Sequence, residues 1–276
     1  MTTVAAATGK TVAAAIRAAL LQADPIAKAM ATRAVRRDWQ HGGLSFAFDC
    51  PMPDRPARPD RPELLPPNRM PRRGKGGSER GRIALWHALA HIEYVAIDLA
   101  LDMAGRFGAE MGAGFTGDFL SVAADEAAHF MMLARKLRSL GAAYGDLPAH
   151  DGLWESAHGT RHDVAARLAV VPMVLEARGL DVTPMMIERV RGAGDGQGVR
   201  LLERILDDEI RHVRIGTNHF TALARIRQAE PGDLWKSLVS RHFRGTIKQP
   251  FNDSARDKAG LSRAVFGEVA IVNLPI

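Results

Sequence analysis

Two short runs in this chain place a carboxylate and an imidazole where they can act together. Asp125-Glu126-Ala127-Ala128-His129 and Asp208-Glu209-Ile210-Arg211-His212 each set a glutamate three residues before a histidine. Both runs lie inside long helical patterns, where side chains at i and i+3 project from one face. A glutamate and a histidine offered in this way are good ligands for iron, manganese or zinc. A further glutamate stands upstream of each run. Glu93 precedes Glu126 by 33 residues, and Glu176 precedes Glu209 by the same 33. The same ligand order at the same separation reads as an internal pseudo-repeat of two helical hairpins. A carboxylate-bridged dimetal site in a four-helix bundle takes one Glu from each of two helices and Glu-x-x-His from each of the other two. The expected ligands are therefore Glu93, Glu126, His129, Glu176, Glu209 and His212. Four carboxylates with two imidazoles suit iron or manganese, and the lack of thiolate ligands argues against a structural zinc site.

At these residues the chain resembles the ferritin-like di-iron carboxylate superfamily of ferritins, rubrerythrins, ribonucleotide reductase small subunits and bacterial multicomponent monooxygenases. More narrowly it is similar to the bacterial ferritin-like family called domain of unknown function 455, DUF455. The stretches that carry this likeness are His-Ile-Glu at 91–93, Glu-Ala-Arg-Gly-Leu-Asp-Val-Thr-Pro at 176–184 and Pro-Phe-Asn-Asp-Ser-Ala-Arg at 250–256. The resemblance implies two iron ions, with manganese or a mixed Mn/Fe pair as alternatives. Glu93, Glu126 and His129 would hold one metal and Glu176, Glu209 and His212 the other, with Glu126 and Glu209 bridging. It also implies that Asp125 and Asp208 steady the ligand histidines in crossed pairs, Asp125 with His212 and Asp208 with His129, because a metal-bound histidine usually donates its free ring N–H to a carboxylate.

The elements that must position these residues are all helical. The expected fold is an all-α, ferritin-like four-helix bundle with an N-terminal helix, a Pro-rich arm and a C-terminal extension. Residues 1–41 form the N-terminal helical segment, with Pro25 breaking or kinking it. Residues 42–81 form a Pro/Arg-rich arm, with prolines at 51, 53, 56, 59, 62, 66, 67 and 71. The bundle occupies 82–230. Its first helix spans 82–104, glycines 105, 108, 112 and 114 make the turn, and the second helix spans 115–140. The third runs over 154–179 and bends at Pro172, which frees the carbonyl of Leu168 one turn before Glu176. Thr183-Pro184 then reads as the cap of a new short helix, and the fourth spans 199–228. Residues 231–276 hold one helix at 234–243. In the irregular chain that follows, Pro250-Phe251-Asn252 and Val269-Ala270-Ile271-Val272 look suited to packing on the bundle.

Composition narrows the class further. A chain of 276 residues with 46% hydrophobic and 25% charged residues can bury a substantial core. One cysteine, Cys50, excludes an intrachain disulfide. No clean signal peptide is read at the N-terminus, and no stretch approaches the ~20 apolar residues of a membrane span. The expectation is a cytoplasmic protein without a membrane partner. A net charge of +6 raises the question of nucleic acid, but much of the excess lies in the arm, at Arg55, Arg58, Arg61, Arg69, Arg72, Arg73 and Lys75. Only 6% of residues are aromatic, which leaves little for base stacking and argues against nucleic acid.

The remaining candidates are weaker. His87 and His91 have metal-like spacing, but His91 falls roughly opposite Glu93 on the helix, so both read as packing or substrate-pocket groups. His219 is about 10 Å along the helix from His212, too far for the same metals. His158 and His162 read as surface groups. Tyr94 neighbours Glu93, and Arg211 stands beside an aspartate it could neutralise. The favoured activity is that of a di-iron oxidase or monooxygenase, an oxidoreductase using O2, a small-molecule substrate and an electron donor. The alternatives are a ferroxidase or iron-binding protein without organic substrate and, more distantly, a tRNA-modifying hydroxylase. An arm laid across the bundle would occupy surface that a storage cage needs, so a monomer or homodimer is expected.

Overall fold

A computed structural model describes residues 10–71 and 78–266 of the chain. Every regular element among them is helical, and the β pairing there consists of two isolated bridges, Thr11 with Ser45 and Leu64 with Ala149. The chain divides into two compact units: Met1–Asp60 with Ala96–Ala128, and Arg61–Val95 with His129–Ile276. Residues 269–272, expected to pack on the bundle, and Arg72, Arg73 and Lys75 of the arm lie outside the described residues.

In the first unit, α1 (Val12–Leu20) and α2 (Pro25–Gln40) form a hairpin. Pro25 breaks rather than kinks the segment. It stands at the first position of α2, where a missing N–H costs nothing, and Asp24 caps the helix by accepting from the Ala27 amide at 2.7 Å. The next helix, α3 (Glu79–Met111), passes straight through Gly105 and Gly108 instead of turning there, and ends at Gly112 with φ +92°. Those two internal glycines are points of close approach. A Cβ on Gly105 would lie 2.4 Å from Met52 Sδ, and one on Gly108 would lie 2.5 Å from Phe48 Cζ. The arm thus lies in grooves that the missing side chains leave open.

Charges fix the arm as well. Lys28, wholly buried, donates to Asp98 Oδ1 at 2.6 Å and to the Ala57 carbonyl at 3.0 Å, and Arg58 pairs with the same aspartate. Arg106 holds Asp102 through both carboxylate oxygens and donates to the Pro53 carbonyl at 2.9 Å. Burial pushes the Lys28 ammonium below its ordinary pKa, against the opposing pull of Asp98.

The helix α4 (Ala113–Ser139) follows α3 after one residue. In the second unit, the segment expected as one helix from 154 is interrupted. A short α5 (Gly152–Gly159) stops at Thr160, and α6 (Val164–Val170) restarts behind the cap of Asp163, which accepts from the Ala165 amide. From there the chain is helical without a break to residue 192, through a π-helical stretch at Val171–Glu176 and α7 (Ala177–Gly192). Pro172 sits in the π-helical stretch, where a lost amide donor is accommodated by the wider turn.

Pro184 starts no new helix. It lies inside α7, and the Leu180 carbonyl that its absent N–H would have engaged receives instead the side-chain amide of Asn252 at 3.1 Å. Asp181 ties the same place down. It accepts from the Asn252 amide and from both arms of Arg256, at 2.8 and 2.7 Å. The C-terminal stretch at 250–256 therefore packs on α7. Past a turn centred on Gly194 (φ +75°), α8 (Gly196–Ile226) returns against α7. Then come α9 (Pro231–His242), packed on α6, α10 (Asp253–Lys258) and α11 (Arg263–Phe266).

Among the described residues one helix, α3, is long and apolar enough to cross a membrane by length and composition, contrary to expectation. Of its apolar window 67% is buried within the protein, as in the core helix of a water-soluble domain.

Candidate metal centre

Four ionisable side chains converge in the interior. Glu93 on α3, Glu126 and His129 on α4, and Glu209 on α8 each bring one ligand atom to within 4.8 Å of the others, and all four are buried. Glu126 and His129 reach the site together because they are separated by three residues on one helix. Three carboxylates around a single imidazole, out of water, repel one another and lose hydration. A cation drawn into their midst compensates both penalties. The donor set fits such an ion: carboxylate oxygens and one ring nitrogen, without thiolate, can hold a divalent metal.

His129 is held at both ring nitrogens. Its Nδ1 lies 3.1 Å from Glu93 Oε2, and its Nε2 lies 3.1 Å from Asp208 Oδ2 on α8. With the Nε2 proton donated to Asp208, the Nδ1 lone pair faces the carboxylate cluster, the tautomer a metal requires. Asp208 is fixed in turn by Arg204, one turn earlier, whose Nε donates at 2.6 Å. The hydrogen bond with His129 holds the Asp208 carboxyl down at about 2. Partial burial opposes that drop and Arg204 reinforces it. Asp208 is thus an anion at neutral pH, as a steadying partner for a ligand histidine must be. Arg204 escaped the sequence reading, although its i,i+4 spacing to Asp208 was a usable signal.

The other two expected ligands stand outside the convergent group. His212, completely buried, has its ring centroid 5.9 Å from that of His129, and its Nδ1 lies 3.7 Å from Glu209 Oε1. Its Nε2 faces the neighbouring Arg211 guanidinium at 3.4 Å. Glu176 is half-buried at the last position of the π-helical stretch. Asp125 is half-buried one residue before Glu126.

Several of the remaining candidates have structural partners. His87 Nε2 accepts from the Gly145 amide at 3.0 Å, and burial lowers its pKa against the pull of Asp146. His91 bridges the Tyr144 hydroxyl at 2.9 Å and the His150 carbonyl at 3.1 Å. Both are used to hold the loop at 142–150 rather than a metal. Tyr94 is buried against Phe130 and Tyr144. His158 lies beside Arg161, His162 is exposed and His219 is half-buried.

These features define an all-helical protein with a buried glutamate–histidine cluster able to hold a metal ion. The chain belongs to the family described as Protein of unknown function (DUF455), whose model matches residues 21–266. A Haemophilus influenzae protein described as uncharacterized is 42% identical over 213 residues, covering 75% of this chain and 74% of the relative. No solved structure matches the chain.

Proposed function

We propose that this is a ferritin-like dimetal carboxylate protein. In this reading α3, α4, the helix carrying Glu176 and α8 form the four-helix bundle, and Glu93, Glu126, His129, Glu176, Glu209 and His212 hold two iron ions. One observation carries the reading: the convergence of Glu93, Glu126, His129 and Glu209, with the His129 ring fixed by Asp208. The matched 33-residue spacing that adds Glu176 and His212 supports the second metal.

A pair of iron ions in such a site, when bound, supplies the electrons that reduce O2 for oxidation of an organic substrate. The chain's own residues do the rest. Glu126 and Glu209 would hold the ions from α4 and α8. Asp208 keeps the His129 proton on Nε2 and so leaves Nδ1 free to bind. The buried surroundings keep bulk water away from the centre. On this reading the protein is a cytoplasmic O2-activating oxidoreductase of oxidase or monooxygenase type, working as a monomer or homodimer with an electron donor.

Anaerobic reconstitution with Fe(II), elemental analysis and O2 uptake test it. The expected result is about two iron ions per chain, with O2 consumed in proportion to iron and no ferric mineral formed. Rapid accumulation of ferric mineral would move the protein to the ferroxidase reading. Absence of stoichiometric iron or manganese binding would end the dimetal reading.

A further inference from the structure

We infer that Pro172 and Gly216 form a rigid seat that positions Glu176 against His212, and so sets the second half of the metal site. The inference rests on the dimetal reading above. A Cβ on Gly216 would lie 2.4 Å from Pro172 Cβ and 2.5 Å from its Cγ. The proline ring therefore fills the space that any larger residue on α8 would need. Both partners are stiff: the ring cannot change rotamer, and the other surface is helix backbone. At Gly105 and Gly108 the facing atoms include far ends of the Met52 and Phe48 side chains, which can turn away.

The position of the seat gives it a function. The π-helical stretch with α7, and α8 after it, form an antiparallel hairpin that turns at Gly194. Pro172 and Gly216 are each 22 residues from Gly194, and Glu176 and His212 are each 18 residues from it. A contact at 172 and 216 therefore anchors the stretch that carries Glu176 against the part of α8 that carries His212, about one turn (~5 Å) nearer the hairpin end. The π-helical stretch completes the device. It begins beside Pro172 and ends on Glu176, and one extra residue in a turn rotates all that follows by ~100°. Where that stretch begins decides which way Glu176 points. Pro172 and Gly216 touch no metal; they act through Glu176 and His212.

The test uses Mn(II) as the probe, with bound metal counted by equilibrium dialysis and spin coupling read by electron paramagnetic resonance. Wild-type protein is expected to bind about two Mn(II) per chain as a coupled pair. Gly179→Ala, a glycine of α7 that faces open space, should behave identically. Gly216→Ala should stay helical by circular dichroism yet bind its second Mn(II) at least ~10-fold more weakly and show the hyperfine sextet of an isolated ion. Adding Pro172→Gly to Gly216→Ala clears the obstructing atoms and should recover the coupled signal.

A folded Gly216→Ala protein that still holds a coupled pair would overturn the inference. So would a double variant that folds but regains nothing. Should Gly216→Ala fail to fold, Pro172→Gly alone decides: it opens a gap instead of a clash, and an unchanged coupled pair there defeats the inference too. Wild-type protein that binds no more than one uncoupled ion refutes the dimetal reading itself, a distinguishable result.

Discussion

Two stretches of the same helix bury acids in opposite ways. Toward the end of α3, Asp98 and Asp102 are each matched by cations: Lys28 and Arg58 on the first, Arg106 on the second. About one and a half turns before Asp98, Glu93 meets two more glutamates and a single imidazole. The first arrangement closes its charge internally and ties the arm to the helix. The second gathers more negative charge than it offsets within the cluster, so a cation from outside could be held there. Burial of acids is common to both; only the balance of partners separates scaffold from site.

Substitutions at the two places should therefore differ in sign. The largest effect is expected for Asp98→Ala, which strands Lys28 and Arg58 in the interior. Loss of ~3–5 kcal/mol of stability is expected, read by denaturant unfolding of metal-free protein. A loss below ~1 kcal/mol would mean that the pair contributes no more than a surface ion pair does. Replacing the charges together, as in Lys28→Met with Asp98→Leu, should cost far less.

Glu126→Gln should act the other way on metal-free protein. Relief of like-charge repulsion is expected to raise stability by on the order of 1 kcal/mol after hydration and proton uptake are offset. On the dimetal reading proposed above, the same change should empty both metal positions, since Glu126 would contribute to both. Destabilised apoprotein with metal content unchanged would erase the contrast with Asp98.

Asp208→Ala sharpens the comparison from one shell further out. It should leave the fold intact and weaken metal binding by ~10–100-fold, measured by competition with a chelator. Unchanged affinity would reduce Asp208 to a local partner of Arg204.

The smallest effect concerns pH. His87 must be unprotonated at Nε2 to accept from the Gly145 amide, and its pKa is lowered by burial from the ordinary 6.5. The unfolded chain thus binds a proton at higher pH than the folded one. The His87 contribution is complete above about pH 6.5 and is lost as pH falls from there through the lowered value. Melting temperatures of metal-free wild type should fall across that window more than those of His87→Gln. Parallel curves would remove His87 from the account.

The helical class and the convergent residues were legible because helix periodicity is local. Glu126 and His129 declare a shared face three residues apart, and Glu93 and Glu209 followed from the matched hairpins. What stayed hidden was set by contacts distant in sequence. Gly105 and Gly108 look like breakers until Met52 and Phe48 are seen occupying their missing side chains. Pro184 looks like the start of a helix until Asn252 supplies the donor that it lacks. The π-helical stretch leaves only a proline as its sequence trace, and of the ionic anchors of the arm only Arg106 stands at a readable spacing, four residues after Asp102, while Lys28 and Arg58 stand at none to Asp98.

The Asn252 contact has a consequence in time. The helix carrying Glu176 is not complete when its own residues leave the ribosome, because the Leu180 carbonyl waits for a donor 72 residues downstream. At ~5–20 residues per second that interval is on the order of ten seconds. During it, the helix carrying Glu176 stands with a gap in its hydrogen bonding, and on the dimetal reading proposed above, metal that arrives early would meet an unfinished half of the site. On that reading the order of synthesis would favour loading after the chain has been made through Arg256, whose guanidinium closes on Asp181 beside that gap.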